Sequence, residues 1–398
     1  MSDESKSAET IGVLVVDDSA LMRNLISRMI EAAPDLTVLG TAINGRFALQ
    51  KLDRLKPDVI CLDIEMPQMN GIEFLQELGK RDGGHPPVII LSSVATKGAK
   101  VTMDALAAGA SDFVTKPSGA ISHDIHVVGD ELLALLRGYA TRFRRRSGTP
   151  VPTVSPQQQV TVHPREITKV DERTSRPEHP SLQVLQQRRH QAEQRTPKAK
   201  PGKLEVIAIG ISTGGPNALR KVFAEIDAEI GVPVLVVQHM PAGFTSEFAN
   251  SLNRSSPLEI KEAAEGDLLK PNRVLVAPGN HHIRVERRSL GAVIHIGDDE
   301  PRNGHRPSAD VLFASVAQQY GRHAMAVIMT GMGRDGAYEI GAIYEAGGTT
   351  IGQDEASSVV YGMPRVAQEN GYLHRQVSLE DMAREISDLA RKLRSESD

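Results

Sequence analysis

The sequence predicts two α/β domains, each built on a mostly parallel β-sheet and joined by a long segment that is not expected to fold. Short apolar runs alternate with amphipathic stretches at both ends of the chain, and the stretch between them is rich in Pro, Gln and Arg. Such alternation is typical of parallel sheets covered by helices on both faces. At 398 residues the chain is also too long for one ordinary core.

Composition indicates a globular protein in a reducing compartment. Apolar residues make up 40%, charged residues 24%, and the formal net charge is −4, so nothing global suggests a nucleic-acid partner. The single cysteine, Cys61, excludes a disulfide framework. Residues 1–10 lack the pattern of a secretory signal, and no apolar run approaches the ~20 residues that cross a bilayer. We expect a cytoplasmic monomer that is not inserted in a membrane.

The first domain is predicted over residues 11–137 as a five-stranded, doubly wound fold of the flavodoxin-like type. Apolar runs locate four of its strands, at Ile11–Val16, Val59–Leu62, Val88–Leu91 and Asp112–Val114. Helical periodicity appears in Leu21–Ala32, Gly71–Leu78 and Ala99–Ala108.

Residues 138–203 are predicted to form a flexible basic linker. From Thr141 to Lys203 there are 14 Lys and Arg residues against five Asp and Glu, with many prolines and few apolar side chains. Such a segment buries too little surface to offset the entropy lost on ordering. A solvated tether is favoured over an arm that binds nucleic acid or an acidic partner. Within it, Ser181–Gln194 could form a short helix.

The second domain is predicted over residues 204–393 as a larger, Rossmann-like, mostly parallel α/β fold with a β-hairpin. Its strands are expected at Leu204–Ile211, Val232–Gln238, Arg273–Ala277 and Ala324–Thr330, and its hairpin at Ile283–Arg287 and Ala292–Ile296. Its helices are expected at Asn217–Glu225, Ser246–Leu252, Ala309–Tyr320, Asp335–Ala346 and Leu379–Leu393.

Polar residues follow the strands of the first domain. Asp17, Asp18 and Asp63 come at the carboxyl ends of two strands, where an open parallel sheet forms its ligand crevice. Three crowded carboxylates repel one another unless a hard cation neutralises them, and Mg²⁺ suits an oxygen-only site. Ser92 and Lys116 would add a hydroxyl and a positive charge for a phosphoryl group. Loop carboxylates are common, but this ordered set favours a phosphoryl-acceptor site.

Residues 11–137 resemble the response-regulator receiver domain. The resemblance rests on DDS at Asp17–Ser19, LDIEMPQMNG at Leu62–Gly71, LSS at Leu91–Ser93 and TKP at Thr115–Pro117. It implies Asp63 as the phosphorylated residue, and Asp18, Asp63 and the Glu65 backbone carbonyl as Mg²⁺ ligands, with Asp17 holding the metal's water. It also implies that Ser92 and Phe113 rearrange on phosphorylation.

The second domain begins with a G-x-S-x-G string, Gly210–Gly214, between a strand and a helix led by Pro216. Small flanking residues permit a sharp turn that exposes the Ser212 hydroxyl, and the helix N-terminus favours a developing oxyanion. A dinucleotide loop is the rival interpretation, but the glycine spacing is wrong for it.

A nucleophilic serine needs a base and an orienting carboxylate. The candidate bases are His239, His281, His282, His295, His305, His323 and His374. His239 is selected because it directly follows the next parallel strand, whereas His295 is expected to be structural and His305 to cap a helix end. Asp335 follows another strand and is the candidate carboxylate, although it could instead cap its own helix.

Residues 204–393 resemble the catalytic domain of the chemotaxis protein-glutamate methylesterase (CheB) family. The matching strings are GISTGGP at Gly210–Pro216, QHMPAGFTSEFA at Gln238–Ala249, APGNHH at Ala277–His282, RPSADVLF at Arg306–Phe313, TGMGRDGA at Thr330–Ala337 and QDEASSVVYGMPR at Gln353–Arg365. The resemblance implies a triad of Ser212, His239 and Asp335. It also places Thr213 and Met332 at the site, the Met332 backbone as an oxyanion donor.

The two resemblances together imply a phosphorylation-activated esterase. Its substrates would be glutamate methyl esters on chemoreceptors, with deamidation of glutamine as a second reaction, no cofactor for the esterase, and a histidine kinase as phosphoryl donor. Two alternatives remain: a response regulator whose second domain binds DNA or a protein, and an unrelated serine hydrolase of small esters.

Overall fold

A computed structural model of the chain contains two parallel sheets and one hairpin, as the sequence predicts. The structure describes residues 10–81, 84–93, 96–116, 124–150 and 195–395. Pro117, the candidate helix Ser181–Gln194 and most of the predicted linker lie outside these residues. No helix in the described part is both long and apolar enough to span a bilayer.

The first sheet has five parallel strands in the order β2-β1-β3-β4-β5. The strands are β1 Ile11–Val16, β2 Leu36–Ala42, β3 Val59–Asp63, β4 Val88–Ser92 and β5 Asp112–Thr115. The helices are α1 Ala20–Glu31, α2 Gly45–Leu55, α3 Gly71–Gly79, α4 Thr96–Ala107 and α5 Asp124–Ser147. This sheet confirms the doubly wound fold.

The strand β2 was not located by its sequence, and its position in the sheet explains why. It lies at the edge, and only Leu36 and Ala42 of its seven residues are buried. The inner strands β1, β3 and β4 are buried along their whole length and give continuous apolar runs. A strand that is mostly half-exposed gives no such run, whereas β5 at the other edge is buried at three of its four residues.

The helix α5 includes residues 138–147, which the sequence assigned to the linker. Its last turn is fixed to the first sheet because Arg144 donates to the Asp58 carboxylate from Nε at 2.8 Å and from Nη2 at 2.6 Å. Asp58 also accepts the Gly12 N–H at 2.7 Å. Arg144 is buried, so this pair ties the helix to β1 and to the start of β3.

The second sheet has seven parallel strands in the order β14-β13-β12-β6-β7-β9-β8. Its strands are β6 Val206–Ile211, β7 Val234–Gln238, β8 Glu259–Glu262, β9 Arg273–Val276, β12 Ala324–Ile328, β13 Thr349–Gln353 and β14 Arg375–Val377. The antiparallel hairpin pairs β10 His282–Arg288 with β11 Gly291–Gly297, as predicted.

The helices of this domain are α6 Gly215–Glu225, α7 Phe244–Asn253, α8 Ala309–Tyr320, α9 Glu339–Glu345, α10 Met363–Glu369 and α11 Leu379–Ser395, with a 3-10 turn at Gly321–His323. The prediction of a helix over Asp335–Ala346 was wrong at its start. Gly333 and Gly336 have φ of +83° and +79°, and a right-handed helix does not contain such residues.

The two domains contact each other at the amino end of β5. Phe113 stacks on Phe244 with ring centroids 5.3 Å apart and planes 7° apart, and α4 packs against α7. The Asp112 carboxylate accepts the Gly214 N–H at 2.8 Å. Arg220 donates to the Leu106 carbonyl at 2.6 Å. The contact therefore joins the start of β5 to the turn that carries Ser212.

Candidate functional site

Three adjacent strands of the second sheet position Ser212, His239 and Asp335. Ser212 follows β6, His239 follows β7, and Asp335 lies in the loop after β12, and the sheet order places β6 between the other two. Because all three strands are parallel, their carboxyl ends meet at one edge of the sheet. Residues far apart in sequence are thereby brought together.

A sharp backbone turn places Ser212 directly before the start of α6. Gly214 has φ +83°, the left-handed region that glycine adopts without strain. At Gly215 a Cβ would lie 1.9 Å from the Gln238 Oε1, so a larger residue there would displace the Gln238 side chain. These two positions account for the glycines of the G-x-S-x-G-G string.

His239 joins the other two side chains by hydrogen bonds. Its Nδ1 is 2.9 Å from the Ser212 Oγ and its Nε2 is 2.8 Å from the Asp335 Oδ2. Because an ionised carboxylate only accepts, Nε2 carries the proton and Nδ1 is left to accept from the serine hydroxyl. This is the arrangement in which a base removes a proton from a nucleophile and a carboxylate fixes the base's tautomer.

Asp335 does not cap its own helix, but lies at the N-terminus of α8. Its Oδ2 accepts the Ala309 N–H at 2.6 Å, and its Oδ1 accepts the Ser308 hydroxyl at 2.6 Å and the Asn303 amide at 2.9 Å. Burial alone would raise the pKa of Asp335, but the bonds from His239, Ser308 and Asn303 outweigh it and lower the pKa far below its usual range. The carboxylate is held ionised.

Two backbone N–H groups beside Ser212 make no hydrogen bond among the described residues: those of Thr213 and Met332. Thr213 directly follows the serine. A Cβ at Gly331, the neighbour of Met332, would lie 2.8 Å from the Ser212 Cβ. Unpaired N–H groups at this place are suited to binding an oxyanion.

Two further residues hold the site and were not identified from the sequence. Gln238 is buried and its Nε2 donates to the backbone carbonyls of Ser212 at 3.1 Å and His239 at 3.2 Å. The His305 ring lies parallel to the His239 ring, with centroids 3.8 Å apart and planes 9° apart. The expectation that His305 is an exposed helix cap was therefore wrong. Its position before a proline-interrupted loop gave no signal of this contact.

The remaining histidines serve other purposes. His281 pairs with Asp298 at the surface, and His295 pairs with Glu265 on the hairpin. The buried His282 accepts the Ser308 N–H at 3.2 Å through Nδ1, which fixes the start of α8. His323 bonds the Lys203 carbonyl and His374 bonds Thr350.

The first domain brings its predicted acidic residues together. Oxygens of Asp17, Asp18 and Asp63 lie within 4.8 Å of one another. The Lys116 Nζ is 2.9 Å from both the Asp17 and Asp63 carboxylates. Burial and the nearby Asp17 charge raise the pKa of Asp63, whereas Lys116 lowers it, and the net effect is a raised pKa. A compact oxygen-only cluster of this kind could hold a divalent metal ion.

The other predicted residues of the first domain lie either at a cavity beside the acidic cluster or at the contact between the domains. Asp63, Glu65, Ser92 and Lys116 line a cavity of about 320 Å³. The Ser92 hydroxyl bonds the Thr102 hydroxyl at 2.6 Å. Phe113 does not line that cavity, but is buried against the second domain.

Comparison with known proteins relates both domains to characterised families. The CheB methylesterase profile matches residues 207–386 and the response regulator receiver domain profile matches residues 13–123. A protein-glutamate methylesterase/protein-glutamine glutaminase of Treponema denticola is 52% identical over 390 residues, covering 95% of this chain and 98% of the relative. One of Treponema pallidum is 49% identical over 394 residues, covering 96% and 98%. The crystal structure of the Thermotoga maritima CheB methylesterase catalytic domain is 33% identical, with TM-score 0.46, and covers 47% of this chain and 98% of that one.

Proposed function

Since the chain belongs to the CheB family of receiver-linked methylesterases, we propose that it is a phosphorylation-activated protein-glutamate methylesterase and protein-glutamine glutaminase. The observation that carries the chemistry is the His239 ring bonded on one side to Ser212 and on the other to Asp335. Family membership removes the alternative of a DNA-binding output domain.

The proposed reaction is acyl transfer to Ser212. His239 Nδ1 takes the hydroxyl proton while Oγ attacks the γ-carbonyl carbon of the ester. The N–H groups of Thr213 and Met332 are proposed to hold the oxyanion. When the C–O bond breaks, the leaving methoxide takes the proton from His239 and departs as methanol. Water then attacks the acyl-enzyme by the same path and releases glutamate. With a glutamine side chain the group that leaves is ammonia.

Asp335 supports both steps without taking up a proton itself. Its ionised carboxylate keeps Nε2 protonated, which directs Nδ1 to Ser212, and it stabilises the imidazolium that forms during each transfer. The five donors of its environment, including the Ala309 N–H, keep it charged in a buried position.

The receiver domain is proposed to be phosphorylated on Asp63. Asp18, Asp63 and the Glu65 carbonyl would hold Mg²⁺, with Asp17 on its bound water, and the acidic cluster fits such an ion. The metal would neutralise charge on the phosphoryl group. Lys116 already bonds Asp63 and would bind a phosphoryl oxygen, with Ser92 as a further donor. We propose a chemotaxis histidine kinase as donor and the cytoplasmic domains of methylated chemoreceptors as substrate.

Activation has a structural route in this chain. Phe113, proposed to rearrange on phosphorylation, is stacked on Phe244 of the catalytic domain, and the preceding Asp112 bonds the Ser212 turn. Ser212 is only 8% exposed in this arrangement. Rearrangement at Phe113 would weaken the contact and favour a state in which the triad is open to a protein substrate.

One assay tests the esterase and the activation together. Methanol release from methylated receptor fragments is measured with and without a small-molecule phosphoryl donor, and we expect release that the donor increases. Ser212→Ala should abolish release in both conditions, whereas Asp63→Ala should retain the basal rate and lose the increase. Release that survives in Ser212→Ala would contradict the serine mechanism. A donor effect that survives in Asp63→Ala would contradict the phosphorylation site.

A further inference from the structure

The His305 ring covers one face of the His239 ring, at a centroid distance of 3.8 Å and an angle of 9°. The backbone of His305 is held in place by two bonds to Arg302, at 2.9 and 3.0 Å. Its neighbour Arg306 is fixed by bonds from its side chain to Asn280 and to the Asp298 carbonyl. The stack is therefore part of a fixed loop.

The hydrogen bonds of His239 hold the two ring nitrogens and do not involve the two faces of the ring. Nδ1 is used by Ser212 and Nε2 by Asp335, so no further donor or acceptor remains on the imidazole. Rotation of the ring out of its plane would break both bonds. A flat group against a face adds resistance to that rotation and leaves both nitrogens free for proton transfer.

We propose that His305 is a positioning residue of the esterase reaction, which holds the plane of the His239 ring and stabilises the imidazolium by presenting a neutral aromatic face. A cation over an aromatic face is attracted by the electrons of the ring. The proposal rests on the esterase mechanism above and adds a residue that neither accepts nor donates the transferred proton.

The surroundings of His305 keep its ring neutral. Burial, the nearby His239 and, in the opposite sense, Asp335 together lower the pKa of His305 to about 4. At neutral pH the ring is thus uncharged, and it does not repel the cation that forms on His239 during catalysis. A charged neighbour at this distance would oppose proton transfer from Ser212.

Two substitutions separate a role of the ring face from a role of its volume or its nitrogens. His305→Phe keeps the flat face and removes both nitrogens, while His305→Leu keeps an apolar side chain of moderate size and removes the face. His295→Leu makes the same exchange at an exposed histidine of the hairpin, bonded to Glu265, and serves as the matched control.

The full-length variants are compared with the phosphoryl donor present, by methanol release from methylated receptor fragments. We expect kcat of His305→Phe to stay within about threefold of the unchanged protein and kcat of His305→Leu to fall about tenfold, the scale of one cation–aromatic contact. KM should change little in either variant, because the imidazolium forms only during the reaction. Thermal unfolding shows whether each variant is folded.

A second measurement does not depend on the natural ester. The modification of Ser212 by a fluorophosphonate also requires His239 as base. We therefore expect the modification rate, like kcat, to change little in His305→Phe and to fall in His305→Leu. If the unchanged protein reacts with the probe but releases no methanol, the proposed function fails and this rate still decides the role of His305. Equal rates for His305→Phe and His305→Leu, whether reduced or not, would overturn the proposal, as would an effect on KM alone.

Discussion

Asp335 is the residue whose surroundings constrain the reaction most closely. Every hydrogen bond to its carboxylate comes from a donor. The donors are the His239 and Ser308 side chains, the Asn303 amide and the N–H groups of Ala309 and Asp310. An ionised carboxylate can accept from all five donors, whereas a side chain with an N–H group of its own would place a donor against a donor. The charge of Asp335 is thus required by packing as well as by catalysis.

Asp335→Asn should lower kcat by about 10³- to 10⁴-fold, the loss typical of removing the carboxylate from such a triad. The amide no longer enforces protonation of Nε2, and its NH₂ group faces donors. Methanol release measures the loss, and the exposed Asp388→Asn is the matched control. A decrease of less than tenfold would contradict the role of Asp335 in orienting His239.

The same substitution has a predictable dependence on pH. Because the folded-state pKa of Asp335 is depressed, its contribution to stability is fully present above its ordinary value of 3.8 and is lost only as pH falls through the folded value. The difference in unfolding free energy between the unchanged protein and Asp335→Asn should therefore be constant from pH 8 to pH 5 and shrink below pH 4. Urea unfolding at several pH values checks this.

At the scale of elements, the turn between β6 and α6 joins the nucleophile to the sheet. Gly215 opens α6 against Gln238, the last residue of β7, and Gln238 in turn donates to the carbonyls on both sides of the site. The two strands and the helix thus meet at a single side chain. A change in any one of them displaces Ser212 relative to His239.

Gly215→Ala should reduce kcat by about 10²-fold, because a Cβ would meet the Gln238 Oε1 at 1.9 Å and push that side chain away from both carbonyls. KM should change less. Gly79→Ala is the control, since a Cβ at the end of α3 has no atom within 4 Å and its φ is not positive. Equal activity of Gly215→Ala and the unchanged protein would show that Gln238 can move without cost.

The elements also show what the sequence could predict and what it could not. Fully buried strands such as β3 produce continuous apolar runs. Asp63, Ser212 and His239 are identified as candidates because each lies at the carboxyl end of such a run. The half-exposed β2 produces no such run. The ring stack of His305 depends on how the loop between β11 and α8 folds back over the site, and no local pattern encodes that. The hydrogen bonds from Ser308 and Ala309 at the start of α8 to Asp335 could not be predicted for the same reason.

At the scale of the whole molecule, the contact between the domains contains a buried carboxylate. Asp112 accepts the Gly214 N–H, and burial, opposed by the Phe113 N–H and assisted by nearby Glu131, raises the pKa of Asp112 to about 7. Burial also raises the pKa of Glu131 to about 7. The Gly214 N–H itself lowers the pKa of Asp112, so docking raises this pKa only through the burial that the second domain adds. Where that added burial outweighs the bond, the docked state binds a proton that the separated domains would release.

Docking should weaken as pH rises from about 4 to about 7, by up to about tenfold per pH unit for each proton released. In Asp112→Asn the amide oxygen still accepts the Gly214 N–H but carries no charge. Basal methanol release of the unphosphorylated protein should then rise less steeply between pH 5 and pH 8 than in the unchanged protein. Asp104→Asn, on the same domain, is the control, and identical pH profiles for Asp112→Asn and the unchanged chain would contradict this role.

The stack of Phe113 on Phe244 has a consequence for the kinase as well as for the esterase. If a phosphoryl group on Asp63 disfavours the docked state, the docked catalytic domain must disfavour phosphorylation by the same free energy, because linkage is reciprocal. A receptor segment that binds the exposed triad would draw the equilibrium toward the separated state and so promote its own enzyme's phosphorylation. The supply of methylated receptor and the supply of phosphoryl groups would then act as two ligands that each increase the affinity for the other.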